Sequence, residues 1–157
     1  MGVRGYLEAY ALPAPPQSEA DALDVWYNRP AEGSCALDKP VYLLMHAASS
    51  VRADGHVEAE ADDPYLWAVR GRRRCAHTGD YPLFLTLPED LPRIVETLEG
   101  IHPGQTMIER DAALHTGAHA TVEAEWARAR MPAFWEGFTA FYRDALTHGW
   151  YVLGGRA

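Results

Sequence analysis

Apolar and polar residues alternate from Val3 to Leu12, with Tyr6, Glu8 and Tyr10 on one side and Leu7 and Ala9 on the other. That two-residue period predicts a β-strand, ended by Pro13, Pro15 and Pro16. Ser18 is a favourable helix N-cap, Asp21 suits the positive helix start, and Leu23, Trp26 and Tyr27 follow at helical spacing. This short helix is predicted to stop within Asn28 to Gly33, ahead of Cys35. From Pro40, the residues Val41, Leu44, Met45 and Ala48 make a second helical stripe, with Tyr42 and His46 off its centre. Ser49 to Asp63 holds five acids without periodicity and reads as a solvated loop, lacking the ligand spacing and central glycine of a calcium loop.

Asp63 and Pro64 open a further helix in which Tyr65, Leu66 and Val69 pack, ending at Gly71 among Arg70, Arg72, Arg73 and Arg74. Tyr81 to Leu87 is predicted as a strand, Leu83, Leu85 and Leu87 facing one way and Phe84 the other. Thr86 with Glu89 has the form of a capping box, and Leu91, Ile94, Val95 and Leu98 supply the next stripe up to Gly100. Between Ile101 and Ala120 the pattern weakens and predicts no element. Met131, Phe134, Trp135, Phe138, Phe141, Tyr142, Ala145 and Leu146 then share one wide helical face ending at Gly149, followed by a strand from Trp150 to Leu153. The expected fold is α+β, a single compact domain over residues 1–157 with a small mixed or antiparallel sheet covered by several amphipathic helices.

A chain of 157 residues, 48% of them apolar, is long enough to bury a real core. No apolar run of membrane-spanning length is present, and Met1 to Tyr10 lacks the residue order of a secretory signal, so the expectation is a soluble cytoplasmic protein. Twenty-two acids against fourteen bases give a formal charge of −8, which repels phosphate backbones and argues for no nucleic acid and no membrane among the partners. Thirteen of the fourteen bases are arginine, a bias of GC-rich bacterial genomes. Cys35 and Cys75 sit in no metal or redox spacing and support neither a disulfide framework nor a zinc site, and no cofactor is expected.

Three groups of side chains could carry chemistry. His115, His119 and Glu123 are spaced four apart, as metal ligands on one helix face would be, but Gly117 lies between the histidines and Thr116 stands where a zincin has glutamate, so no metal is expected. The arginines after Val69, with Trp67 close by, could clamp a small anionic ligand, since guanidinium forks bind oxyanions bidentately. Trp67, Arg70, Arg72 and Tyr42 are the candidate ligand-binding residues. Asp38, Tyr42, His46, Ser49 and Ser50 gather an acid, a phenol, an imidazole and hydroxyls within a few turns, and His46 with Asp38 or Tyr81 could do acid–base work.

Several segments together resemble the YfbM-like family of small bacterial proteins, a domain of unknown function. The resemblance rests on Met1-Gly2-Val3-Arg4-Gly5-Tyr6, on Leu37-Asp38-Lys39 followed by Leu44-Met45-His46, and on Asp63-Pro64-Tyr65-Leu66-Trp67-Ala68-Val69 with Arg70-Gly71. It continues through Tyr81-Pro82 to Leu87-Pro88-Glu89 and through Tyr142-Arg143-Asp144-Ala145 to Leu153. This chain departs from the family in having Pro40 and Val41 where a tryptophan usually follows the Asp-Lys pair, and Ala47-Ala48-Ser49 after the histidine. The resemblance implies an α+β fold with helices over a small sheet, and it implies no established activity.

Three readings stand on the sequence. One is a non-catalytic binding or accessory protein, for which an immunity-type inhibitor of a basic partner is a specific form, because small acidic domains can mask basic surfaces by charge complementarity. Another is a small cofactor-free enzyme of a biosynthetic pathway, with a histidine acid–base group beside an arginine anion clamp. The third is a metal site at His115 and His119.

Overall fold

The computed structural model describes residues 5–37, 62–101 and 118–156, and in the last stretch the side chains from residue 129 onward. Its elements in chain order are β1 (Gly5–Tyr10), α1 (Glu19–Asn28), β2 (Gly33–Leu37), α2 (Pro64–Arg70), β3 (Arg73–Thr78), β4 (Tyr81–Thr86), α3 (Leu91–Gly100), α4 (Ala118–His148) and β5 (Tyr151–Arg156). The strands form one antiparallel sheet in the order β2-β1-β5-β4-β3, so the expected α+β class holds and the sheet is antiparallel throughout its described pairings.

Alternation along the strands divides the interior in two. Leu7 and Ala9 of β1 and Val152 of β5 point into the larger core, which α2, α3 and α4 close with Tyr65, Trp67, Ile94, Leu98, Phe138 and Tyr142 among others. Tyr10, Leu153, Leu83 and Leu85 point to the opposite face, where Ala22 and Val25 of α1 complete a smaller core. The predicted sidedness of β1 and β4 is therefore observed, and it assigns a helix layer to each face of the sheet.

Local chemistry explains the element ends. Ser18 caps α1 by accepting from the Asp21 amide at 3.1 Å, and Asp63 caps α2 by accepting from the Tyr65 and Leu66 amides at 3.0 and 3.2 Å. At the end of α4, Gly149 takes φ 67°, its amide bonds the Leu146 carbonyl and the Trp150 amide bonds the Ala145 carbonyl. This pair of bonds is a Schellman closure, which a left-handed glycine permits and which turns the chain directly into β5.

Two expectations are corrected, and two strands stand where the pattern predicted none. The arginine-bearing turn is largely a strand: β3 begins at Arg73 and pairs with β4, its register shifting between Arg74 and Ala76. Charged residues masked that strand, because as an edge it leaves Arg73 and Arg74 exposed while a bulge turns Ala76 inward. Cys35 lies in β2, whose small residues Gly33-Ser34-Cys35-Ala36 show no apolar alternation. Thr86 makes no capping box with Glu89. Its hydroxyl accepts from the Arg72 amide at 3.2 Å, and the acid that reaches back is Asp90, whose Oδ2 accepts from the Leu87 amide at 3.2 Å. Finally, Leu146 stands exposed outside the core face of α4. The stripe predicted from Pro40, the acidic segment as far as Ala61 and His115 lie outside the described residues, as do the side chains of His119 and Glu123.

Candidate functional site

Among the predicted ligand-binding residues, Trp67 and Arg72 are brought together by α2 and the connection that leaves it, while Arg70 lies on a different ring. All five residues from Tyr65 to Val69 are buried, so α2 is an internal helix, and the Trp67 indole is enclosed rather than presented to a cleft. Arg72 leaves the end of α2, its guanidinium carbon 4.3 Å from the centre of the Trp67 ring, and pairs with Asp90 at the head of α3. Asp90 is only 3% exposed and divides its carboxylate between Arg72 and the Leu87 amide. Arg93, one turn further along α3, approaches the same indole at 5.1 Å and pairs with Asp62 at 3.2 Å.

Arg70 turns away from this group and lies over the Phe84 ring at 4.5 Å. Burial lowers its pKa, and Asp63 opposes that shift by favouring the charged form. The cluster therefore has the electrostatics of cations held on aromatic faces by carboxylates. Such groups can hold an oxyanion.

Tyr81 is not part of this arrangement. It pairs with Thr78 at the far end of the β3–β4 hairpin, whereas Arg73 pairs with Leu85, so four residues of strand, roughly 13 Å, separate Tyr81 from the arginine end. Its neighbour is instead Arg156, 5.8 Å above its ring. His46, Asp38 and Tyr42 lie outside the described residues. Asp90, Arg93 and Phe84 were missed on the sequence because each sits in an element that reads as core or cap. The available signal was the spacing of Asp90 and Arg93, which places an acid at the head of α3 and a base one turn further on.

A second surface differs in sign. Residues 5–37 hold Glu8, Glu19, Asp21, Asp24 and Glu32 against Arg29 alone. Glu8 accepts from the Tyr10 hydroxyl, Asp21 from the Gln17 amide and Asp24 from the Asn28 side chain, while Glu19 accepts from the His77 amide on β3. Among the described residues no arginine or lysine pairs with any of these five acids, whereas Asp62, Asp90 and Glu99 each pair with an arginine. Tyr27, three residues after Asp24 on α1, stands 65% exposed. Among the described residues no group of three or more metal-ligating side chains is present, and no helix is long and apolar enough to cross a membrane.

The architecture matches that of a solved structure, a protein of unknown function, YfbM, from Escherichia coli, with a TM-score of 0.64 over 98% of this chain and 99% of that one at 18% sequence identity. The chain thus has a YfbM-like fold, as the sequence resemblance implied. No family model and no curated protein matches the chain.

Proposed function

We propose that this chain is a non-catalytic binding protein that meets a basic protein partner through the outer face of α1, in the manner of an accessory or immunity-type inhibitor. The observation that carries this reading is the set of α1-side acids that have no arginine or lysine partner among the described residues, with an exposed Tyr27 among them. Unneutralised carboxylates steer a cationic surface and accept arginine bidentately, while tyrosine contributes a large rigid contact at small entropic cost. Tyr81, one of the two partners suggested for His46 in the enzymatic alternative, lies away from the arginine cluster.

The test uses a labelled arginine-rich peptide and a matched glutamate-rich peptide, followed by fluorescence anisotropy at low and moderate salt. The arginine-rich peptide should bind, more weakly as salt rises, and the Asp21→Asn, Asp24→Asn double variant and Tyr27→Ala should each reduce its affinity without unfolding the protein. Equal binding of both peptides, or binding indifferent to these substitutions, would reject the α1 face as the docking surface.

A further inference from the structure

The cluster over Trp67 lies apart from the α1 surface, and its properties do not depend on the docking reading. Arg72 and Arg93 come from different elements yet both lie against one indole. Two carboxylates hold these cations, in unlike ways. Asp90 is buried and bonded on both oxygens, so its grip on Arg72 is part of the fold. Asp62 is 74% exposed and meets the half-exposed Arg93 through a single 3.2 Å contact, a kind of pair that solvent screens and that contributes little.

We propose that Arg72 and Arg93, stacked on Trp67, form a binding site for a small oxyanion, the group shared by phosphates and carboxylates, and that Asp62 is an intramolecular competitor for it. The buried indole and Asp90 fix the Arg72 guanidinium while a third of that side chain still faces solvent. Arg93 has five N–H donors, and among the described residues one of them meets Asp62, which leaves others to receive a bidentate anion. Charges oriented before binding need little reorganisation when the anion arrives. The Asp62 side chain marks where that anion sits, because it already presents a carboxylate oxygen to Arg93, and its exposure lets it swing away when an external anion takes its place.

A competitor inside the chain makes a prediction that a simple surface salt bridge does not: removing the acid strengthens anion binding. Inorganic phosphate and succinate are titrated separately into the protein at constant ionic strength and followed by calorimetry, the two arms separating a phosphate site from a carboxylate site. At least one should bind saturably with one site per chain. Asp62→Asn should tighten that binding about two- to fivefold, the advantage released when an exposed pair is removed. Arg93→Ala should weaken it at least about tenfold. Both residues are at least half exposed, so each variant keeps its fold, which an unchanged circular dichroism spectrum and urea midpoint would verify. Affinity in Asp62→Asn equal to or below wild type, wild-type affinity in Arg93→Ala, or no saturable binding of either anion by Asp62→Asn would each overturn the proposal.

Discussion

The hydroxyl of Tyr142 in α4 donates to the main-chain carbonyl of Ala68 in α2 at 2.5 Å, across 74 positions of sequence and entirely within the larger core. The bond has a structural reason. Helix α2 ends at Arg70, so the Ala68 carbonyl lies in the last turn, where no helical amide follows to meet it. The Trp67 carbonyl takes the Gly71 amide, and the Arg72 amide is already directed to β4. Tyr142 supplies the missing donor, and burial holds its phenol pKa well above the ordinary value. Tyr142→Phe should preserve the packing while leaving that carbonyl unsatisfied, at a cost of about 1 to 3 kcal/mol. A urea unfolding midpoint equal to wild type would show that the carbonyl finds another donor.

The close approach of α2 to the sheet gives a second prediction. A Cβ on Gly154 of β5 would overlap the Arg70 carbonyl oxygen and lie 2.8 Å from the Arg70 carbonyl carbon, both main-chain atoms that no rotamer change can move. At the next residue, Gly155, the closest atom would be in the Trp26 side chain at 2.9 Å, which can shift. Gly154→Ala should therefore destabilise by at least about 1 to 3 kcal/mol, and more than Gly155→Ala. Comparing the two thermal midpoints checks the order, and a reversed order would mean that α2 does not lie directly on β5.

These contacts also mark which parts of the molecule the sequence carried. Sidedness in β1 and β4, the Ser18 and Asp63 caps and the aromatic face of α4 all depend on local period or on one residue's hydrogen bond, and each was legible. The edge strands were not. β2 is built of small residues and β3 of arginines, compositions that suit an edge facing solvent and erase the apolar alternation that betrays a central strand. Of the candidate site, Trp67 and the arginines were found by type. Their arrangement escaped, since Arg72 meets Asp90 eighteen residues away and only the folded chain sets α3 beside the end of α2. The pairing of surface acids is likewise a tertiary property, invisible to a count of charges.

Alkaline pH should reveal the enclosed titrating groups. Burial raises both Cys35 and Cys75 from 9.0 to about 11, Cys75 being held back slightly by a backbone hydrogen bond and pushed further by Glu19. A thiol whose folded pKa is raised contributes stability that is fully present below its unfolded pKa. Between pH about 9 and about 11 the unfolded chain gains thiolates that the native chain resists, so stability falls across that window. Tyr10, Tyr65 and Tyr142, also raised by burial from 10.0, extend the loss upward. A Cys35→Ser, Cys75→Ser double variant should delay the onset from near pH 9 to near pH 10. Urea midpoints measured through this range check the sign, and identical onsets would mean that neither thiol is shielded.

The two arginines on Trp67 should separate cleanly by stability. Arg72→Ala removes the partner of a carboxylate that is 3% exposed and strips a packed guanidinium from the indole. Losing one half of a buried pair costs about 3 to 5 kcal/mol, and because a third of Arg72 faces solvent the expected loss is nearer about 2 to 3. Asp90→Ala should cost at least as much, since it abandons the Leu87 amide as well as Arg72. Arg93→Ala breaks an exposed pair and should cost less than about 1 kcal/mol. The double variant Arg72→Ala, Asp90→Ala should then be less damaging than the two single losses added together, because the buried charge and its partner leave together. Additive losses would mean that the two residues act on the fold independently, and equal losses for Arg72→Ala and Arg93→Ala would remove the distinction between a fixed guanidinium and an exchangeable one.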